Sequence, residues 1–297
     1  MVARGHTLAR AKIGILGKGG AGKSTVTVLM AHSLQQRGYE VCILDADSTN
    51  IGLHQVLGID HSPTPLIDYF GGMVFRGGLV SCPVDDPAPL SNAAIRWDTL
   101  PHAYSTRTPD GIRYLVAGKI GDQGPGAGCD GPVAKIARDL AIESSPDRVV
   151  TLVDFKAGFE DTARGVITGL NWAVVVVDPT NAAIQMAADM QHMIEQIKAG
   201  ELPATEHLES PEKVELANNM FRNAAIQGVL FVLNRVTSKH MEDYLRSELE
   251  GHGLKALGVI RADPAIAMAW LTGSTLESKQ ALPEVQAVID ELERAVV

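Results

Sequence analysis

Apolar, β-branched runs alternate along the chain with longer stretches of helical period. The runs are KIGILG (12–17), EVCILDAD (40–47), IRYLVAG (112–118), RVVTLVD (148–154), WAVVVVD (172–178), GVLFVLN (228–234) and ALGVIRAD (256–263). They are nearly continuous in apolar character, which is how strands read when helices cover both faces of a parallel sheet. Between them, STVTVLMAHSLQQRG (24–38) and AAIQMAADMQHMIEQIKAG (182–200) repeat apolar residues about every 3.6 positions and end at glycine, a common helix stop. The alternation predicts an α/β fold, a doubly wound, mostly parallel sheet with helices on both faces.

Two segments interrupt the alternation. Residues 59–111, rich in Pro, Gly, Asp and Thr, read as an insertion of loops and short helices, and residues 200–225 read as an acidic excursion before the next strand. The expectation is one domain over 1–297 carrying both insertions, since neither has the makings of an independent core. The C-terminal LPEVQAVIDELERAVV is amphipathic with an acidic polar face. A membrane-surface helix carries Lys and Arg there, so this one is expected to pack on the core.

Composition narrows the function classes. Of 297 residues, 45% are hydrophobic and 21% charged, and the net charge is −9. Duplex DNA binding relies on Lys and Arg neutralising phosphates, and no dense basic run is present. The longest apolar runs are too short to span a bilayer, and no apolar segment follows the basic N-terminus as a signal peptide requires. Three cysteines, an odd number, argue against a disulfide framework. The reading is a cytoplasmic protein with no strong nucleic-acid signal and no membrane partner.

Directly after the first apolar run comes GKGGAGKST (17–25). Gly17, Gly22, Lys23 and Ser24 satisfy G-x-x-x-x-G-K-[ST] in strand–loop–helix context, the phosphate-loop pattern. Gly17, Gly19, Gly20, Ala21 and Gly22 let successive N–H groups turn inward around an anion. Lys23 is placed to meet β- and γ-phosphates and Ser24 to ligate Mg²⁺, while the helix through Thr25 aims its positive end at the site. ATP or ADP with Mg²⁺ is the expected ligand.

Lys18, just after the first glycine, completes K-G-G-x-G-K-[ST]. On these residues the chain resembles the deviant Walker A ATPases. That family includes the nitrogenase iron protein, the septum-placement and chromosome-partition ATPases, and the carbon monoxide dehydrogenase nickel-insertion ATPases. The resemblance implies a homodimer closed by ATP, with Lys18 reaching the partner's nucleotide. LDADSTN (44–50) is similar to the family's first switch, so that Asp47 would orient the attacking water and Asp45 would act near Mg²⁺. LVDFKAGFED (152–161) resembles the Walker B and second-switch segment, where Asp154 holds a Mg²⁺-bound water and the Gly158 N–H senses the γ-phosphate. VLNR (232–235) is similar to the adenine-side strand end, with Asn234 on the base, and 258–276 resembles the segment that closes over the base. Lys18, Lys23 and Asp47 are the implied catalytic set.

The stretch GKIGDQGPGAGCDGPVAKIARDL (118–140) resembles two relatives at once. One is the iron protein, with its cluster cysteine; the other is the nickel-insertion group, with its glycine-rich run and Cys-x-Cys-Pro. PVDD (83–86) and AGFEDTARG (157–165) look closest to the second. The implied candidate is Cys129 as a soft-metal ligand (Ni or Zn) on the dimer axis, completed by Cys82 or by a client metalloenzyme. The chain departs from both patterns: Gly131 replaces the second cysteine, Asp161 falls where the iron protein has its other ligand, and Lys156 replaces an acidic residue. Cys129 alone gives two thiolates per dimer, too few for a shared [4Fe–4S] cluster. The resemblance thus implies an ATP-driven dimerisation switch in metallocentre assembly. The alternatives are a positioning ATPase for DNA or membrane cargo, and a metal-free regulator that gates protein binding.

Overall fold

The computed structural model describes residues 6–119, 129–144, 148–158, 162 and 165–296. Strands β1 (Lys12–Gly17), β2 (Glu40–Ala46), β3 (Ala94–Arg96), β4 (Thr106–Arg107), β5 (Arg113–Val116), β6 (Ala141–Glu143), β7 (Val149–Phe155), β8 (Trp172–Val177), β9 (Gly228–Val236) and β10 (Ala256–Arg261) follow in chain order. Eight of them form a sheet in the order β10-β9-β8-β1-β7-β2-β5-β4, while β3 and β6 pair separately. The main sheet is parallel except for β4, which runs antiparallel to β5. All seven apolar runs of the sequence are strands of this sheet. β1 is central, and the chain winds first to one side of it and then to the other, which opens a crevice at its carboxyl end.

The helices are α1 (Lys23–Gln36), α2 (Leu53–Val56), α3 (Leu66–Tyr69), α4 (Gly131–Asp139), α5 (Asn181–Lys198), α6 (Pro211–Arg222), α7 (Lys239–Gly251), α8 (Pro264–Thr272) and α9 (Ala281–Ala295). Strand side chains alternate between two apolar clusters. On one face Leu16, Leu44, Val153 and Val175 meet Ile136 of α4, Met190 of α5 and Leu245 of α7. On the other, Ile13, Ile15, Ile43 and Val174 meet Met30 of α1 and Ile289 of α9. Each such side chain contributes roughly 1.5–3 kcal/mol when fully buried, so both helical layers are firmly held.

Helix α1 is buried almost continuously from Thr25 to Ala31 rather than along one stripe. The reason is α9, whose Val285, Val288, Ile289 and Leu292 are fully buried. The acidic side of α9 is tied down as well: the Arg37 guanidinium donates to Asp290 at 2.8 Å and Glu293 at 2.9 Å. The segment 59–111 holds the short helix α3 and the short strands β3 and β4, and docks through Leu66, Phe70, Ile95 and Leu100. Residues 200–225 contain a 12-residue helix, α6, begun by Pro211 and capped by Ser210, whose Oγ accepts the Lys213 N–H at 3.3 Å. Among the described residues no helix is long and apolar enough to cross a membrane.

Candidate nucleotide site

The loop 17–22 leaves β1 and turns directly into α1. Gly17, Gly20 and Gly22 have φ of 140°, 80° and 91°, conformations that L side chains rarely adopt. At Gly17 an added Cβ would also lie 2.6 Å from the Val176 carbonyl oxygen, so β8 presses the loop into shape. The first turn of α1 has no side-chain cap, and Gly22, Lys23, Ser24 and Thr25 line the crevice, the arrangement an anion site at a helix N-terminus requires. Above the loop lies a cleft of about 770 Å³, bounded by Gly20, Lys23, Asp47, Asn234, Arg235 and Trp270. It sits at the carboxyl ends of β1, β2, β7, β9 and β10.

The sheet register brings two carboxylates together at one edge of this cleft. Asp45 and Asp154 are partners across β2 and β7, and both are fully buried. Ser24 Oγ donates to Asp154 at 2.6 Å and Thr27 Oγ1 donates to it at 3.2 Å. Asp45 accepts from Lys119 Nζ and from the Tyr114 hydroxyl, each at 2.7 Å. Burial pushes the Asp154 carboxyl up to about 7, and the neighbouring Asp45 charge adds to this. Burial raises Asp45 too, against the pull of Lys119. Two buried carboxylates beside a hydroxyl make an oxygen-only donor set, which suits a hard dication.

Asp47 lines the cleft, and its carboxylate accepts the Thr49 N–H at 2.9 Å and the Asn50 N–H at 3.2 Å. Lys119 braces the same loop by donating to the Asp47 carbonyl at 2.6 Å, and Asn50 Nδ2 donates to Ser24 Oγ at 3.0 Å. The Gly158 N–H donates to the Gly17 carbonyl at 3.3 Å, so in this state it holds the phosphate loop itself. Asn234 is buried, and its Nδ2 donates to the Ala21 carbonyl at 2.7 Å. Lys18 Nζ lies 3.5 Å from the Asp178 carboxylate and 3.2 Å from the Gly19 carbonyl.

Helix α8 forms a side wall of the cleft. Asp263 caps it by accepting the Ala265 N–H at 2.8 Å, Pro264 opens it, and Gly273 stops it with φ 66°. Trp270 is pinned there by an Nε1–H bond of 2.9 Å to Thr25 Oγ1. Motif reading did not single out Lys119, Thr27, Asn50 or Trp270. Thr27 and Asn50 carried a faint signal, one being a helical turn beyond Lys23 and the other the end of LDADSTN; Lys119 and Trp270 are joined to the site only by tertiary packing.

The cysteines separate as their surroundings dictate. Cys42, in β2, is buried, and burial pushes its thiol up to about 12. Cys129 is exposed and Cys82 half-buried. Cys129 Sγ accepts the Gly131 N–H at 3.3 Å, away from the nucleotide cleft. Residues 120–128, Glu160 and Asp161 lie outside the described residues. Among the described residues no three His, Cys, Asp or Glu side chains gather to hold a metal ion by themselves.

Residues 15–276 match the model of the CobQ/CobB/MinD/ParA nucleotide-binding domain. An uncharacterized ATP-binding protein of Methanocaldococcus jannaschii is 35% identical over 63% of this chain and 74% of its own length. The carbon monoxide dehydrogenase accessory protein CooC of Rhodospirillum rubrum is 28% identical over 61% of this chain and 67% of its own. Among solved structures, the septum site-determining protein MinD of Pyrococcus horikoshii, complexed with Mg-ADP, superposes with a TM-score of 0.58 at 19% identity, covering 97% of this chain and 98% of that one. With a phosphate loop, a buried carboxylate pair and a cleft at the carboxyl edge of a parallel sheet, the chain belongs to the CobQ/CobB/MinD/ParA family of P-loop nucleotide-binding proteins.

Proposed function

We propose that the chain is a Mg²⁺-dependent ATPase whose hydrolysis cycle closes and opens a homodimer, in the service of metallocentre assembly in a client enzyme. The observation that carries the ATPase reading is the convergence of Lys23, Ser24 and Asp47 on one cleft at the mouth of the phosphate loop, with Asp154 buried behind it and bonded to Ser24. Ser24 and Asp154, with Asp45 behind them, are the residues that would hold Mg²⁺. When bound, the ion would supply positive charge to offset the charge that develops on the phosphate.

Phosphoryl transfer to water asks a protein mainly for positioning and charge. Lys23 supplies a buried cation at the loop, and the α1 N–H groups supply fixed dipoles. Asp47 stands at the cleft, where its carboxylate would orient water. Lys119 keeps that loop in place through the Asp45 carboxylate and the Asp47 carbonyl. Gly158 can sense a γ-phosphate only by exchanging its bond to Gly17 for one to the nucleotide. Lys18, 3.5 Å from Asp178 in the single chain, would move to the partner's nucleotide on closure. Asn234 would meet the base from its seat on Ala21.

The metallocentre part of the reading rests on Cys129 and on the likeness to the carbon monoxide dehydrogenase accessory protein. An exposed thiol without two further ligands beside it among the described residues would take donors from a second copy or a client, and soft ions such as zinc or nickel favour several thiolates. Phosphate release from Mg-ATP, together with zinc titration of reduced wild type and Cys129→Ser, tests both parts. The expected result is ATP hydrolysis that Lys23→Met abolishes, and ATP-dependent zinc binding that Cys129→Ser abolishes. Hydrolysis without any zinc affinity would remove the metallocentre role, and DNA or vesicle binding in its place would favour cargo positioning.

A further inference from the structure

Asp130 stands at the N-cap of α4, where an aspartate ordinarily accepts an N–H of its own helix. It makes no such bond. Its carboxylate, 10% exposed, instead accepts from Ser48 Oγ at 2.5 Å and from Lys156 Nζ at 2.6 Å. Ser48 follows Asp47 on the loop leaving β2. Lys156 follows β7 two residues after Asp154 and precedes Ala157, which lines the cleft. One carboxylate therefore joins both segments that border the phosphate side of the site.

The next residue along, Gly131, is where the two accessible thiols meet. Its N–H donates to Cys129 Sγ at 3.3 Å, and a Cβ built on it would lie 2.4 Å from Cys82 Sγ. The Cys82 thiol thus fills the space that a side chain at 131 would need. The Cys82 loop is bound to the same helix: Lys135 Nζ donates to Ser81 Oγ at 2.7 Å and to the Asp86 carboxylate at 3.1 Å. At the far end, Lys12 Nζ donates to the carbonyls of Arg138 and Leu140 at 2.9 and 2.8 Å. With Val133, Ile136 and Ala137 in the core, α4 stays docked whether or not Asp130 keeps Ser48 and Lys156 as donors.

We propose that Asp130 is the positioning residue that couples the nucleotide site to the paired thiols Cys82 and Cys129, through its bonds to Ser48 and Lys156. When the third phosphate draws the 156–158 segment off Gly17, Lys156 moves relative to Asp130, and the start of α4 shifts with both sulfurs. The inference rests on the reading that the cleft binds nucleotide; it needs neither hydrolysis nor a metal.

The test is the alkylation rate of Cys129 by iodoacetamide, assigned by peptide mass, in full-length protein saturated with ADP or with a non-hydrolysable ATP analogue. Titration calorimetry on the same samples establishes that each nucleotide binds. Coupling of ordinary strength makes the two rates differ about fivefold or more in wild type. In Asp130→Asn and Lys156→Met the ratio falls toward one while both nucleotides still bind, and Lys156→Arg restores it. The ratio is the readout, since Asp130→Asn alters the absolute rate by removing a charge beside the thiol. If Asp130→Asn unfolds, Ser48→Ala reports on the same bond. Equal rates in wild type with both nucleotides bound, or a full ratio retained in Asp130→Asn and Lys156→Met, overturns the coupling. Absence of nucleotide binding in wild type overturns the cleft assignment itself, and the coupling with it.

Discussion

Gly22→Ala strikes the phosphate loop in two separable ways. The residue has φ 91°, and holding an alanine there costs roughly 1–2 kcal/mol. Its new Cβ would lie 2.4 Å from Asn234 Nδ2, while the next neighbour, on Arg235, is 3.6 Å away. Asn234 must therefore withdraw and give up its 2.7 Å bond to the Ala21 carbonyl. Losing a buried hydrogen bond costs roughly 1–3 kcal/mol, so the single variant should lose roughly 2–5 kcal/mol in all. Asn234→Ala alone forfeits the same bond but also clears the space. Added to Gly22→Ala, it should cost almost nothing more, because that bond is already gone. The assay is urea unfolding of the four nucleotide-free proteins of this cycle, with nucleotide affinity measured alongside. The double variant should be more stable than additivity allows by roughly 1–3 kcal/mol. Additivity to within about 0.5 kcal/mol would show that Asn234 is not seated on the loop, and would refute the reasoning.

Two other expectations follow from single lysines. Lys119→Met leaves the Asp45 carboxylate, 1% exposed, without its cation, and breaking a buried pair costs about 3–5 kcal/mol; a urea midpoint unchanged at pH 7 would count against the brace. Burial holds the Lys12 ammonium down to about 7 from its ordinary 10.5. Between those values the unfolded chain carries the extra proton, so this site's contribution to stability rises with pH across the window and levels off below pH 7. The stability of wild type relative to Lys12→Met should climb between about pH 7 and pH 9.5, and a flat difference would contradict the burial of a charged group there.

What the sequence revealed and what it hid divide along physical lines. The seven long strands and the loop 17–25 were legible because each is specified by its own residues: unbroken apolar runs, and glycines at fixed offsets before a lysine. The short strands β3, β4 and β6 were not, since two- and three-residue strands exist only by pairing with a neighbour. Helix α6 was read as an acidic excursion, although Ser210 and Pro211 mark its start, because its overall character is polar and only Ala217 of it is buried. Asp45, Asp47 and Asp154 were legible as polar strand ends, and the parallel register then set Asp45 beside Asp154. Lys119 and Asp130 were invisible as site residues. Their partners lie 26 to 82 positions away along the chain, and no local pattern records that separation. Lys156 stood out only as a departure from the family's acidic residue, and its bond to Asp130 gives that departure a structural consequence.

The central claim is that nucleotide is gripped by two copies of the chain at once. Driving a mostly open population to a mostly closed one takes about 10⁴-fold preference for the closed form, about 5.5 kcal/mol, and Lys18, lying beside Asp178 in the single chain, is the residue assigned to supply it. Light scattering of the purified protein, saturated first with Mg-ADP and then with a non-hydrolysable ATP analogue, measures this directly. The account predicts a doubling of mass with the analogue in wild type and none in Lys18→Ala. A wild-type protein that stays monomeric with the analogue bound, or a Lys18→Ala variant that dimerises as well as wild type, would contradict it.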